Sequence, residues 1–115
     1  MTAAERVAFI LSAIKAGSEP ELHESISVAL GAANIDFLHE VILSKKDRID
    51  FMVNGVGIEV KNKCSLPEII RQLHRYAKSD KIDSLVLVTT KLAHKQVPKK
   101  MLGKDVIVLA LESWI

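Results

Sequence analysis

The apolar residues at the start of the chain recur every three or four positions, which predicts two helices. The first spans 2–16 and ends at Gly17, a residue suited to the left-handed conformation that often terminates a helix. The second begins at once, because Ser18 is a natural N-cap and Glu21, three residues later, can complete a capping box. Two separate helices are therefore expected before the first strand.

From Phe37 the spacing of apolar residues changes towards two, as it does in β-strands. Three strands are predicted, over 37–44, 48–53 and 56–61. Asn54-Gly55 lies between the last two and favours a tight type I′ turn, because both residues accept a positive φ. The second and third strands are thus expected to form a hairpin.

The second half of the chain alternates helices and strands. The strand predicted over 84–89 is almost continuously apolar, which is typical of a central strand covered on both faces. The other predicted elements here are a helix over 65–79, a short basic helix over 93–102 and a last strand over 106–111. This order predicts one α/β domain with a mixed sheet flanked by helices, made of an N-terminal helix (1–17), a core (18–91) and a basic helix with the last strand (92–115).

Composition narrows the class of protein. The chain has 115 residues and 49% hydrophobic content, enough for one core, and its 4% aromatic content argues against a stacking platform for single-stranded bases. The single Cys64 excludes an internal disulfide and a thiolate metal cluster. The apolar stretch 7–14 lies between Glu5 and Lys15, the reverse of a signal peptide, and no run reaches membrane-spanning length. A soluble, cytoplasmic protein without a membrane partner is expected.

The predicted hairpin brings charged residues together. Pairing Val53 with Val56 across the turn sets Asp50 opposite Glu59, and Lys61 shares their face because it lies two residues beyond Glu59. Two facing carboxylates about 5 Å apart repel each other, so a cation is expected between them. The face is either an exposed charge pair worth about 0.2–1 kcal/mol or an oxygen-ligand site for Mg²⁺.

One further acid and the histidines are other candidates for the same site. Glu19 falls on the buried stripe of the second helix and faces the predicted sheet, either as a helix-dipole partner or as a third acid. The four histidines lack the spacing of metal ligands, so no zinc site is predicted. The carboxylate face of the hairpin remains the main candidate site.

The residues of the hairpin resemble the motif of the PD-(D/E)XK nuclease superfamily, in which an acid begins one strand and Glu-x-Lys lies in the next. The matching segments are Arg48-Ile-Asp50 and Glu59-Val-Lys61, with Ile49 in place of the motif's proline. The likeness extends upstream to Glu19, which matches a helix glutamate. Downstream, Gln72 and Tyr76 resemble the Gln-x-x-x-Tyr helix motif of some members. Altogether it covers about 18–90, most of the chain.

The resemblance implies a restriction-endonuclease-like αβββαβ core with an extra N-terminal helix. It implies that Asp50, Glu59 and the Val60 carbonyl hold Mg²⁺ or Mn²⁺ against a scissile phosphate, while Lys61 orients the attacking water and Gln72 helps to position it. The expected activity is hydrolysis of DNA, by an endonuclease in preference to an exonuclease. The enzyme is expected to recognise the shape of a junction, flap or duplex and not its base sequence. Small phage or archaeal Holliday-junction resolvases are similar in size. One alternative is a catalytically silent binding or interaction domain on the same scaffold, and another is a nuclease subunit or module of a larger repair or restriction complex.

Contacts with DNA and with a second subunit are also expected. The residues predicted to contact nucleic acid are Lys63, Arg75, Tyr76, Lys95, Lys99 and Lys100. Tyr76 is equally compatible with a place in the core, and the lysine run with a solvated face. A homodimer is expected because one site cuts one strand, with the first helix and the tail near Trp114 as candidate surfaces.

Overall fold

The structure is a computed structural model, described for residues 1–112. Trp114 lies outside the described residues. The helices are α1 (Ala3–Leu11), α2 (Glu19–Ala32) and α3 (Leu66–Ala77), with a 3₁₀ helix at Leu92–Gln96. The strands are β1 (Leu38–Ile42), β2 (Arg48–Val53), β3 (Val56–Val60), β4 (Ser84–Thr89), β5 (Lys100–Met101) and β6 (Lys104–Ala110).

The six strands form one mixed sheet in the order β1-β2-β3-β4-β6-β5. The first three strands are antiparallel neighbours, β3, β4 and β6 run parallel, and β5 returns antiparallel to β6. One apolar core joins the sheet to α1 and α2, and the other joins its opposite face to α3. The predicted α/β class, with helices on both sides of a mixed sheet, is confirmed. No helix within residues 1–112 has the length and apolar character needed to cross a bilayer.

The predicted N-cap of α2 is confirmed, and a serine N-cap also begins α3. Ser18 and Glu21 form the capping box of α2, and Ser65 accepts a hydrogen bond from the Glu68 N–H at the start of α3. The first helix, however, ends at Leu11 rather than near Gly17. The Ser12 hydroxyl donates to the Phe9 carbonyl at 2.6 Å, and such local hydrogen bonds compete with a further helical turn.

The β2–β3 hairpin has the predicted turn and register. Asn54 and Gly55 have φ angles of 43° and 83°, and the pairs Val53↔Val56 and Phe51↔Ile58 follow directly from that turn. Regular alternation would put Ile49 and Phe51 on one face of β2, but Ile49 packs on the α3 side of the sheet while Phe51 packs on the α2 side. The regular alternation of faces therefore fails at Asp50, between these two residues.

The neighbouring strand and a glycine accommodate this irregularity. Glu40 of β1, which lies across from Asp50, has a φ of 53°, a left-handed value that changes the direction of the edge strand. On β3, a Cβ added to Gly57 would lie 2.4 Å from Cδ1 of Ile49 and 2.7 Å from Cδ1 of Ile82. The absence of a side chain at Gly57 lets Ile49 fold over the sheet onto the α3 side.

The predicted basic helix over 93–102 is wrong. The chain forms only the 3₁₀ turn, becomes extended at Val97, and then makes β5. Pro98 explains the change, because proline disfavours a helical conformation in the residue before it and supplies no N–H. The Lys99 carbonyl instead accepts a hydrogen bond from the Val106 N–H at 2.8 Å, which joins this segment to the edge of the sheet.

Candidate active site

Strands β2 and β3 part just beyond the last regular pair, Phe51↔Ile58, and side chains take over the hydrogen bonding there. The Val60 N–H donates to Asp50 Oδ2 at 2.8 Å, and the Asp50 N–H lies 3.4 Å from Glu59 Oε1. At this end of the hairpin, carboxylate oxygens are thus the acceptors for two main-chain N–H groups. The two acids predicted to cluster are brought together in the gap between the strands.

Glu59 is buried, with 2% of its surface exposed. Its Oε2 lies 3.2 Å from the Tyr76 hydroxyl, which also receives a hydrogen bond from Gln72 Nε2 at 2.8 Å. Burial, and secondly the nearby Asp50 carboxylate, raise the pKa of Glu59 from 4.5 to about 8, although Lys61 and Tyr76 act in the opposite direction. Burial and Glu59 likewise raise the pKa of Tyr76. At neutral pH, without a cation, the protonated form of Glu59 is favoured.

The pair has the donor chemistry of a site for Mg²⁺ or Mn²⁺. Carboxylate and carbonyl oxygens suit these ions, which take one or two carboxylates and complete their coordination with water and substrate phosphate. The Val60 carbonyl points to the same side of its strand as the Val60 N–H, towards Asp50. No group of three or more His, Cys, Asp or Glu residues within 1–112 is arranged to hold a metal by itself. Asp50, Glu59 and Val60 therefore fit a site that depends on water or phosphate for its remaining ligands.

Lys61 is the first residue after β3, and its N–H donates to the Val88 carbonyl at 3.1 Å. This main-chain bond fixes the lysine at the end of the strand that carries Glu59. Its ammonium group lies close enough to Glu59 to lower the pKa of that carboxyl. The half-buried side chain makes no hydrogen bond or ion pair in the part of the chain that the structure describes. A cation beside the two carboxylates thus has its donors available for another group.

Glu19 faces the sheet as predicted but does not join the two carboxylates. Its Oε2 accepts a hydrogen bond from the Asn62 N–H at 2.9 Å. The Asn62 side chain in turn donates to the Gly17 carbonyl at 2.8 Å and accepts from the Thr90 N–H at 3.2 Å. Glu19 therefore positions the loop that follows Lys61, through an asparagine that the sequence motif did not single out.

His23 is a second residue that the motif missed. Its Nε2 lies 3.6 Å from Asp50 Oδ2, and its ring packs at a tilt against Phe51 with centroids 5.4 Å apart. It is one helical turn beyond Glu19, so the spacing of four residues on α2 could have indicated that both face the same strand ends. A search for histidines spaced as metal ligands could not have found His23, because no second histidine lies three or four residues from it along the chain.

The residues of α3 act behind the site rather than at its surface. Tyr76 is 1% exposed, which corrects the prediction that it contacts nucleic acid. Its hydroxyl lies within hydrogen-bond distance of Glu59 Oε2, at 3.2 Å, and of the Arg48 carbonyl, at 3.3 Å. Gln72, predicted to position water or ligands, reaches Glu59 through this tyrosine.

The residues predicted to contact nucleic acid lie on several different elements of the fold. Lys63 is exposed in the loop after Lys61, and Arg75 pairs with Asp47 at 3.0 Å. Lys95 and Lys99 line a groove of about 530 Å³ against β6, and Lys100 lies 3.3 Å from Asp105 at the start of that strand. In the strand order, β4 lies between β3 and β6, the strand that lines this groove. Only Lys63 follows the carboxylates closely in the chain.

Comparisons of the chain with protein-family profiles, with characterised proteins and with solved structures gave no significant match. Function is therefore inferred from the geometry of Asp50, Glu59 and Lys61.

The raised pKa of Glu59 has a consequence for stability. Because folding favours the protonated carboxyl, its contribution to the free energy of unfolding is complete below pH 4.5 and is lost as the pH rises through about 8. In EDTA, this residue should lower the stability of the protein between these pH values by on the order of a few kcal/mol. Urea unfolding at a series of pH values would measure it. Glu59→Gln should lack this component, and parallel pH profiles for the two proteins would contradict the assignment.

Proposed function

We propose that the protein is a Mg²⁺- or Mn²⁺-dependent nuclease that hydrolyses phosphodiester bonds in DNA. The observation that supports it best is a close carboxylate pair, the half-buried Asp50 and the buried Glu59, beside the Lys61 ammonium group, which has no partner in residues 1–112. This combination matches the acid and Glu-x-Lys motif that the hairpin resembles.

Each residue has a chemical role in this proposal. Asp50, Glu59 and the Val60 carbonyl hold the metal ion, which supplies neutralising charge at the phosphate and a more acidic bound water. Lys61 orients the attacking water and stabilises negative charge as it develops on the phosphate oxygens. Tyr76 holds the Glu59 carboxylate in place, and His23 lies beside Asp50 on the opposite side.

Burial argues against the simpler interpretation of an exposed charge pair. A carboxylate on a solvated face keeps its hydration and costs little, whereas Glu59 is withdrawn from water beside a second acid. Such an arrangement is unfavourable for the charged form unless a cation neutralises it. The geometry thus favours a site that is completed by a metal ion.

The substrate is proposed to be recognised by shape and phosphate position. Reading a base sequence needs contacts in the grooves, and a domain of this size has little surface for them beyond the cleavage site. A junction, flap or duplex cut internally is the proposed target. A homodimer would present two sites to the two strands, and Phe9 on α1, 71% exposed, supports the first helix as part of its surface.

A panel of four DNAs tests the proposal: a four-way junction, a flap, a single strand and a duplex, each incubated with Mg²⁺ or Mn²⁺. We expect metal-dependent cleavage of at least one of them, lost in EDTA. Glu59→Gln purified in parallel controls for contaminating nucleases. A parent protein that cuts none of the substrates would overturn the nuclease proposal and favour a silent binding domain.

A further inference from the structure

The turn between β1 and β2 is closed by its own hydrogen bonds. The Ser44 hydroxyl accepts from the N–H groups of Lys46 and Asp47 and donates to Asp47 Oδ2, each at 3.2 Å. The Leu43 N–H donates to the Asp47 carbonyl at 2.8 Å. These bonds use main-chain groups and the side chains of Ser44 and Asp47. The side chains of Lys45 and Lys46 are left out of the network.

The turn is also attached to α3. Asp47 is 9% exposed, and its Oδ1 accepts from Arg75 Nε at 3.0 Å. Lys78 lines a small cleft of about 280 Å³ between the turn and the end of α3. Because the Asp47 carboxylate faces inward and pairs with Arg75 of α3, it does not neutralise the two lysines. Lys45 and Lys46 are both exposed, and neither side chain has a hydrogen-bond or ion-pair partner in residues 1–112.

This basic turn leads into the end of β2 that carries Asp50. Arg48, the residue after Asp47, begins β2, and its carbonyl oxygen shares the Tyr76 hydroxyl with Glu59 Oε2, at 3.3 Å and 3.2 Å. Two residues further along the same strand is Asp50. The phosphates of one strand of duplex DNA recur about every 3.4 Å along the helix axis, so a strand held at the carboxylates reaches the turn within a few nucleotides.

We propose that Lys45 and Lys46 bind backbone phosphates of DNA on one side of the scissile bond. The identity of the ligand rests on the proposed nuclease function, while the site is defined by the turn. Two cations on a backbone fixed by hydrogen bonds lose less conformational freedom on binding than lysines on a free loop. The partner that fits them is a chain of regularly spaced anions that continues past the carboxylates, which a polynucleotide provides and a mononucleotide does not.

Binding measured without cleavage tests the site. Fluorescence anisotropy of labelled duplex and four-way-junction DNA in EDTA, over roughly 50–200 mM KCl, gives the affinity and its salt dependence. For Lys45→Ala/Lys46→Ala, the slope of log K against log salt should fall by about 1.8, and the affinity near 0.1 M salt by about tenfold or more. Lys45→Arg/Lys46→Arg should retain parental binding, because it keeps both charges.

Lys95→Ala/Lys99→Ala is the matched control. It removes the same charge from two exposed lysines, which line the groove against β6. We expect it to change the slope by less than half as much. An equal effect of both double substitutions would mean that only net charge matters, and an unchanged slope in Lys45→Ala/Lys46→Ala would show that the turn binds no phosphate; either result overturns the proposal.

The outcome is separable from that of the nuclease proposal. If the parent cleaves no DNA but Lys45→Ala/Lys46→Ala lowers the salt dependence of binding, the phosphate site is supported and the nuclease proposal is overturned. If the parent cleaves DNA but Lys45→Ala/Lys46→Ala binds as tightly and with the same salt dependence, the nuclease proposal is supported and the phosphate site is overturned. Neither lysine side chain takes part in the hydrogen bonds of the turn, so the variants should fold, and thermal unfolding followed by circular dichroism should give melting temperatures near the parent's.

Discussion

Lys61→Ala is expected to bind Mg²⁺ with parental affinity and to cleave DNA about 10²-fold or more slowly. The substitution leaves both carboxylates in place but removes the cation that would orient water and stabilise charge at the phosphate. Titration calorimetry with Mg²⁺, together with single-turnover cleavage of the best substrate from the panel, would separate the two effects. Cleavage by Lys61→Ala at the parental rate would refute the role assigned to the lysine.

Lys63→Ala provides the matched control for that experiment. Lys63 lies two residues further on and is exposed, whereas Lys61 is half-buried beside Glu59. Loss of the Lys63 side chain should weaken DNA binding without slowing the chemical step when the enzyme is in saturating excess. If Lys63→Ala slowed single turnover as much as Lys61→Ala, the slower cleavage would reflect the loss of positive charge near the site and not a specific role of Lys61.

Glu59→Gln and Asp50→Asn should lose Mg²⁺ binding and cleavage together. Each replacement removes a charged metal ligand while keeping the shape of the side chain, and we expect cleavage to fall by on the order of 10³-fold. Amides are preferable to alanine because Asp50→Ala would leave the buried Val60 N–H without its acceptor. Calorimetry and the cleavage assay on the same preparations would test this. Full metal affinity in either variant would exclude that residue as a ligand.

Local chemistry explains why much of the fold was predictable. Asn54-Gly55 determines the turn, the turn determines the register, and the register sets Asp50 and Glu59 near each other. Helix starts at Ser18 and Ser65 depend on hydrogen bonds within four residues. Features that are encoded within a few residues could be predicted without knowledge of the rest of the chain.

The details of the site depend on contacts between distant parts of the chain, and these could not be predicted. The two carboxylates were expected on one regular face, but Asp50 occupies the gap in the sheet, where alternation between Ile49 and Phe51 fails. Ile49 can fold to the other face because β3 has a glycine there and α3 offers a core. The Glu19–Asn62 bond likewise joins residues 43 positions apart. The catalytic roles themselves remain predictions.

The carboxylates that complete the hydrogen bonds of β2 and β3 also affect how relatives of this protein should be interpreted. A descendant that lost its chemistry would still need acceptors for the N–H groups of Val60 and Asp50, so its lineage could conserve both acids as parts of the sheet. Lys61 satisfies no such requirement in the described residues. Among homologous sequences, an acid pair without the lysine would mark an inherited hairpin, whereas retention of the lysine would be the better marker of an enzyme.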